Sequence, residues 1–177
     1  KAVMADAGSV ALVNALIERW DTVGARLCEP PWTLIHGDYG LHNMAFDGDL
    51  PDPYIAFDFQ LAARARAGWE VAHFTYTSSL RDSLDVYANR LTANQGNYIE
   101  ALRALGVHDY SQAELEDDCG WYSGWMTLVL LWLYWASFKR GRPQPSFSGV
   151  NWARSLKLAR DFDMLARIEQ LQESRAL

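Results

Sequence analysis

Apolar residues near the start of the chain recur at three- and four-residue steps, the period of one face of an α-helix. The pattern runs from about Asp6 to Leu27 and predicts one helix over that stretch. Pro30 and Pro31 follow, and proline neither continues a helix nor leaves the preceding residue free to do so. We therefore expect the helix to end before them. The apolar positions of this helix are Val10, Val13, Leu16, Ile17, Trp20 and Val23.

Three short apolar segments come next and predict β-strands. Residues 32–35 are typical of a short buried strand, and residues 44–46 form a second one closed by the turn pair Asp47-Gly48. Residues 54–58 alternate between two faces, as a third strand would. The loop at 49–53 holds two prolines, and we expect it to be exposed.

After Gly68 the pattern is helical to the end of the chain. Ser111 and Glu114 have the spacing of a capping box, in which each side chain satisfies a backbone donor of the first turn. Gly106 and Gly141 stand where glycines commonly end helices. We therefore expect an α+β fold that is predominantly α. The predicted helices cover residues 69–80, 83–105, 111–140 and 151–172.

Residues 120–138 carry no charged side chain, and their number is close to what a membrane-spanning helix needs. The run continues an acidic first turn without a break and ends at Lys139, charges that suit the dipole of one long helix in water. Its aromatic residues also fill the middle, whereas a spanning helix concentrates them at its two ends. We predict a buried core helix.

Composition and charge exclude several classes of partner. The 177 residues include 16 Lys and Arg against 22 Asp and Glu, a net charge of −6, with no basic run. A nucleic-acid or anionic-membrane partner is therefore not expected. Cys28 and Cys119 are far apart and form no CxxC, which excludes a disulfide scaffold and a zinc ribbon. Together with the lack of a basic-then-apolar leader, this favours a cytoplasmic protein.

The segment His-Gly-Asp-Tyr-Gly-Leu-His-Asn, residues 36–43, carries the most informative chemistry. Asp38 and Asn43 lie on a loop between two predicted strands, and Asp58 ends the third strand beside them. Carboxylate and amide oxygens are the hard ligands that Mg²⁺ takes together with phosphates. Phosphoryl transfer needs these ligands and a base for the attacking hydroxyl. The three residues are therefore of the types that a phosphoryl-transfer site uses.

The pattern H-G-D-x-x-x-x-N, followed by a hydrophobic residue and Asp-Phe, resembles the catalytic and metal-binding loops of the aminoglycoside phosphotransferase and choline kinase superfamily, relatives of protein kinases. The likeness covers about Trp32 to Leu171. It implies the carboxy-terminal lobe of a protein-kinase-like fold, with short strands carrying the active loops. It also implies transfer of the γ-phosphate of ATP, with Mg²⁺, to a hydroxyl of a small molecule. Stretches similar to the ecdysteroid-kinase-like branch are Phe57-Asp-Phe-Gln60, Gly68…His73-Phe74…Ser78 and Ala101–Gly106…Tyr110-Ser111.

The resemblance also implies roles for individual residues. Asp38 corresponds to the catalytic base that accepts the proton of the substrate hydroxyl. Asn43 corresponds to a magnesium ligand, and Asp58 to the aspartate that joins magnesium to the nucleotide phosphates. His36 corresponds to a structural histidine. The family commonly braces the catalytic loop with an aspartate in the next helix, where this chain has Glu70, one methylene longer.

No Gly-rich loop and no strand lysine precede Asp6, although kinase-like folds clamp ATP with such parts. The resemblance therefore implies that residues 1–177 are the carboxy-terminal lobe and that an amino-terminal lobe of the same protein is its partner. We do not expect residues 1–177 to be a competent enzyme by themselves.

Two other functions stay open at this point. A kinase-like lobe that only binds is one, because Glu70 departs from the family and the clamping lobe is missing. A divalent-metal hydrolase is the other, with His and carboxylate ligands that activate water. It would need more ligands, and His73 and His108 are predicted on or near helices away from the loops. The residues available to that metal are His36, Asp38, His42 and Asp58.

The acceptor class rests on aromatic residues in the long predicted helix. Trp121, Trp125, Trp132 and Trp135 follow 4-, 7- and 3-residue steps, which place them on roughly one stripe. Indole faces suit flat apolar ligands, so we predict a bulky, largely apolar alcohol such as a steroid or terpenoid. The alternative is that the stripe is part of the core.

Overall fold

The computed structural model describes residues 7–49, 54–80, 82–141 and 148–175. Within these ranges the chain is mostly helical with a few short strands, the α+β and predominantly α class that the sequence predicts. Helices α1 to α7 are Ala7–Glu18, Trp20–Leu27, Gly68–Ser78, Leu84–Ala104, Gln112–Lys139, Ser148–Asp161 and Met164–Arg175. Strands β1 to β4 are Thr33–Ile35, Met44–Phe46, Tyr54–Ala56 and Ala63–Ala65.

The chain divides into two compact units. One consists of Lys1–Leu27 together with Gly120–Leu177, and the other of Cys28–Cys119. Helix α5 begins in the second of these and continues into the first. The loops that carry Asp38 and Asp58 both belong to Cys28–Cys119.

Four short strands pair as two antiparallel ladders in the Cys28–Cys119 unit. In one ladder Thr33 of β1 lies opposite Ala65 of β4, and in the other Met44 of β2 lies opposite Ala56 of β3. The segment 36–43 therefore runs from the first ladder to the second, and 57–62 runs back. Because both segments connect the same two ladders, the pairing brings them side by side.

A buried ion pair joins the segment just before α3 to the second turn of α5. The Arg66 Nε donates to Asp118 Oδ1, and the two side chains are 4% and 0% exposed. Arg66 also donates to the carbonyl of Pro30, and Tyr110 donates its hydroxyl to Asp118 Oδ2. A Cβ on Gly68 would collide with Asp118, so the two backbones approach closely here. This network fixes the helix that follows the second loop.

The other unit is a set of helices with its own apolar core. Its described part contains α1, α2, α6, α7 and the portion of α5 that follows Cys119. Gly124 lies against Met164, whose Cε would be 2.9 Å from an added Cβ, so this glycine permits close packing. Thr127 and Ser155 share a buried hydrogen bond of 2.7 Å. The core side chains of this unit include Leu12, Leu16, Val23, Trp121, Leu156 and Ile168.

Two predicted helices are interrupted. The first is divided at Arg19, although helical hydrogen bonds continue across that residue. The predicted helix over 151–172 is wrong as a single element, because α6 ends at Asp161 and α7 begins at Met164. Asp163, between them, has φ 49°, a left-handed conformation that aspartate tolerates better than most residues. A helix can therefore be interrupted at a residue that is neither glycine nor proline, and the sequence pattern gives no signal of it.

The long helix α5 is only partly the buried helix that we predicted. Trp121 and Thr127 are buried, but Trp132, Trp135 and Phe138 are 60%, 55% and 69% exposed. Among the described residues, no helix combines the length and the apolarity needed to cross a bilayer. The carboxy-terminal part of α5 instead presents an aromatic surface.

The strands also expose more apolar surface than predicted. Leu34 is 74% exposed, so of the predicted buried strand only Ile35 lies in the core. Phe46 and Tyr54 of the hairpin are exposed as well. Of the loop predicted to be exposed, Asp49 is so, and residues 50–53 lie outside the described part of the chain.

Candidate active site

The segment 36–43 passes directly against the segment 57–62. Gly37 has φ 87°, the left-handed region that glycine adopts without strain, and an added Cβ would collide with the carbonyl of Leu61. The same contact region holds His36, which is buried and donates from Nε2 to the carbonyl of Phe57 at 2.8 Å. Its ring packs against Phe59, with centroids 4.4 Å apart. These contacts are those of a structural histidine.

The carboxylate of Asp38 is held by three side chains. Its Oδ1 lies 2.9 Å from Nε2 of His73, and its Oδ2 lies 3.2 Å from Nδ2 of Asn43 and 3.4 Å from Nε2 of His42. The side chain of Asp38 is 37% exposed. The carboxylate is therefore fixed in orientation yet open to solvent on one side.

Burial and hydrogen bonding act in opposite directions on this carboxyl group. Burial raises the pKa of Asp38, but the hydrogen bonds and charges of His73 and His42 outweigh it and hold the pKa below its usual value. Burial lowers the pKa of His73, against the opposing hydrogen bond and charge of Asp38. At neutral pH the pair is therefore a carboxylate and a neutral imidazole that donates from Nε2.

Asn43 and Asp58 lie on adjoining pieces of backbone. Asn43 is buried, and its Nδ2 donates to the carbonyl and to Oδ2 of Asp38, so the amide oxygen is the atom of this side chain that could bind a metal ion. Phe57 donates its N–H to the carbonyl of Asn43 at 3.0 Å. Asp58 follows directly, exposed and in the left-handed region with φ 66° and ψ 56°. An amide oxygen and an exposed carboxylate fit the hard-oxygen chemistry of Mg²⁺.

A metal ion held entirely by protein side chains would need a larger cluster of ligands than Asn43 and Asp58. In the ranges that the structure describes, no group of three or more His, Cys, Asp or Glu side chains is placed to hold a metal ion. Mg²⁺ does not require such a group, because it keeps several waters and takes one or two carboxylates alongside phosphates.

Glu70, in the first turn of α3, binds the backbone of the segment 36–43 with both carboxylate oxygens. Oε2 accepts from the N–H of His36 at 2.9 Å, and Oε1 accepts from the N–H of Gly37 at 3.0 Å. The neighbouring Trp69 donates from its indole to the carbonyl of Gly37 at 3.1 Å. The extra methylene relative to aspartate thus does not prevent a brace between α3 and the loop.

Replacing Glu70 by glutamine tests this brace. Glu70→Gln turns one of the two acceptors into a donor that faces a backbone N–H. We expect the free energy of unfolding, measured by urea denaturation, to fall by about 1–3 kcal/mol. Glu100→Gln is the matched control, since Glu100 is exposed on α4, and it should change stability by less than about 0.5 kcal/mol. Equal losses of unfolding free energy in the two variants would mean that the bonds from Glu70 to the backbone contribute nothing to stability.

The sequence-based prediction of where His73 lies is wrong. We expected it away from the active loops, whereas it lies on α3 within hydrogen-bond distance of Asp38. A signal was available, because His73 follows Glu70 by three residues and residues at that spacing share a helix face. Once Glu70 is assigned to bracing the loop, His73 is expected to face the same loop.

The aromatic stripe of α5 is split between core and surface. Trp121 is 3% exposed, while Trp132 and Trp135 are open. A cavity of about 380 Å³ lies on this surface within the helical unit. Its lining residues are Ile17, Trp20, Leu128, Leu131, Trp132 and Trp135.

Comparison with known proteins gives no match to a family model, to a curated protein or to a solved structure. The function is therefore inferred from the residues of the candidate site.

Proposed function

We propose that this chain is the catalytic-loop lobe of a kinase-like phosphotransferase, which transfers the γ-phosphate of ATP to a hydroxyl of a small molecule. The lobe acts together with an amino-terminal lobe that clamps the nucleotide. The observation that carries the proposal is the fixed carboxylate of Asp38, bonded to Asn43 five residues later. Asn43 is in turn joined through Phe57 to the segment that presents Asp58.

The chemistry assigned to Asp38 is that of a general base. Its carboxylate accepts the proton of the acceptor hydroxyl, while that hydroxyl oxygen forms a bond to the γ-phosphorus. The bond between the γ-phosphorus and the bridging oxygen breaks, and ADP leaves with the electron pair. Because the pKa of Asp38 is held low, the carboxylate is ready at neutral pH.

Asn43 and Asp58 are the residues that would hold Mg²⁺ in this lobe. When bound, the ion neutralises the phosphate charge that otherwise repels the acceptor oxygen. Asn43 contributes its amide oxygen, and its nitrogen keeps Asp38 in place. The presence of Asp38, Asn43 and Asp58 together favours transfer over a lobe that only binds. No observation favours the hydrolase.

For the acceptor we propose a bulky, largely apolar alcohol. The support is the aromatic surface of the helical unit, where Trp20, Trp132 and Trp135 border an open apolar cavity. Indole rings bind flat apolar bodies through their faces. Preferential phosphorylation of aminoglycosides or choline would reject this acceptor class but leave the transferase proposal standing.

The direct test is turnover by the full-length protein. It is incubated with Mg²⁺ and ATP and with a panel of sterols, terpenoid alcohols, aminoglycosides and choline. Phosphate-ester formation is followed by ³¹P NMR and ADP release by a coupled assay. We expect an ester product with at least one apolar alcohol. Absence of ester with every alcohol, in a preparation that binds nucleotide, would indicate a binding lobe instead.

Asp58→Asn tests the magnesium assignment. Asparagine tolerates the left-handed conformation of Asp58, so the backbone is kept while the carboxylate is lost. We expect the Mg²⁺ concentration for half-maximal turnover to rise by about 10- to 100-fold. Asp109→Asn, at an exposed position without a role in the proposal, should leave this Mg²⁺ concentration unchanged.

Calorimetry with Zn²⁺ tests the alternative function. Tight Zn²⁺ binding without nucleotide would support a hydrolase instead of a phosphotransferase.

A further inference from the structure

The two oxygens of Asp38 have unequal surroundings. Oδ1 is bonded to His73, whose side chain is 12% exposed, at 2.9 Å. Oδ2 is bonded to His42, whose side chain is 53% exposed, at the longer distance of 3.4 Å. The bond of Asn43 to Oδ2, at 3.2 Å, is also longer than that of His73. The shortest and most protected bond to this carboxylate therefore comes from α3.

We propose that His73 is a positioning residue for the base: its Nε2–H holds Oδ1 of Asp38 and so fixes the rotation of the carboxylate that receives the proton of the acceptor hydroxyl. This inference rests on the proposed function. It assigns a role to a residue on α3, outside the two loop motifs. His73 touches neither substrate nor phosphate in this role, and it acts only through Asp38.

The position of His73 within a helix restricts the orientation of its ring and therefore of its hydrogen bond to Asp38. His73 lies in the interior of α3, and its own carbonyl accepts from the hydroxyl of Thr77 at 3.0 Å. Glu70, one helical turn earlier, clamps the catalytic segment at His36 and Gly37. One helix therefore sets both the backbone of the loop, through Glu70, and the rotation of the Asp38 side chain, through His73. A reacting group held at two points keeps its geometry better than one held by a loop alone.

Orientation by a neutral donor also preserves the charge of the base. The titratable groups that act on His73 are Asp38 on the loop, Glu70 on its own helix and His42 in the following turn. Burial lowers the pKa of His73 below its ordinary value, which favours the neutral ring. In that neutral state the Nε2–H still donates to Asp38.

The kinetic test compares two replacements of His73 in the full-length protein. His73→Leu removes the donor, and His73→Gln restores an N–H at nearly the position of Nε2. We expect the leucine variant to lose about 10- to 100-fold in kcat, with KM for ATP and for the alcohol changed less than about twofold. The glutamine variant should recover most of that loss. His108→Leu, an exposed histidine in the same unit, is the control and should retain full turnover.

Two kinetic outcomes would overturn the proposal. If His73→Leu keeps kcat within about twofold of the parent, orientation by His73 is unnecessary. If the leucine and glutamine variants are equally impaired while folded, the role is not that of a hydrogen-bond donor.

A second measurement needs no enzymatic activity and no variant of His73. Long-range ¹H–¹⁵N NMR of the histidine rings identifies which nitrogen carries the proton. At pH 7.5 we expect His73 to be the neutral tautomer protonated at Nε2. In Asp38→Asn its titration should move to lower pH, because Asp38 raises the pKa of His73. A ring protonated at Nδ1 alone would overturn the proposal, since Nε2 would then have no proton to donate. This measurement also distinguishes the proposal for His73 from the proposed phosphotransferase function, because the proton on Nε2 can be observed even if no alcohol is phosphorylated.

Discussion

Asp38→Asn is expected to lower kcat of the full-length protein by about 10²- to 10⁴-fold, the contribution typical of a general base. Asparagine has the shape of aspartate and can still accept from Nε2 of His73 through its amide oxygen. It cannot take up the proton of the acceptor hydroxyl. The fold should therefore persist while transfer fails, which circular dichroism and urea denaturation would verify alongside the turnover assay.

Asp109→Asn provides the comparison for this experiment. Asp109 is exposed in the same unit, and the same chemical change there should leave kcat within about twofold of the parent. Near-parental turnover in Asp38→Asn would remove the base from the proposal. It would favour the divalent-metal hydrolase, since a lobe that only binds has no turnover to retain.

Asp118→Ala is expected to lower the free energy of unfolding by about 3–5 kcal/mol. It leaves the buried guanidinium of Arg66 without its carboxylate, in a site where neither side chain is more than 4% exposed. Total stabilities of domains are only about 5–15 kcal/mol, so the transition in urea should move to much lower concentration. Since Arg66 lies two residues before the start of α3, the loss should also loosen the helix that carries Glu70 and His73.

Companion variants show whether the charge is the cause. Tyr110→Phe removes one hydrogen bond to Asp118 but keeps the ion pair, and it should cost about 1–2 kcal/mol. The double variant Arg66→Met with Asp118→Leu removes both charges, and we expect it to be more stable than Asp118→Ala alone. If the double variant is the weaker of the two, packing rather than the unpaired charge explains the effect.

The sequence predicted the class of fold, most helices and three strands, because their apolar patterns are local. It missed β4, since Ala63-Arg64-Ala65 has little apolar alternation and becomes a strand only by pairing with β1. It also joined α6 to α7, because the left-handed Asp163 carries no glycine or proline signal.

For the candidate site, Asp38, Asn43 and Asp58 were selected as a group by their residue types and by the resemblance of their spacing to the phosphotransferase motifs. The bonds of Glu70 to the backbone of His36 and Gly37, and the contact of His73 with Asp38, could not be predicted from spacing. Both depend on how α3 packs against a loop more than 30 positions earlier in the chain. Tertiary placement of this kind has no local pattern.

The backbone of Phe57 has a consequence for how this region tolerates sequence change. Its N–H is bonded to Asn43 and its carbonyl to His36, while its side chain is 44% exposed. The link between the two loops thus depends on peptide groups that nearly every residue supplies, and among the twenty amino acids only proline lacks the N–H. These two bonds therefore place no demand on the side chain at position 57, whereas an exchange at His36 would remove one of them and leave only the backbone bond to Asn43.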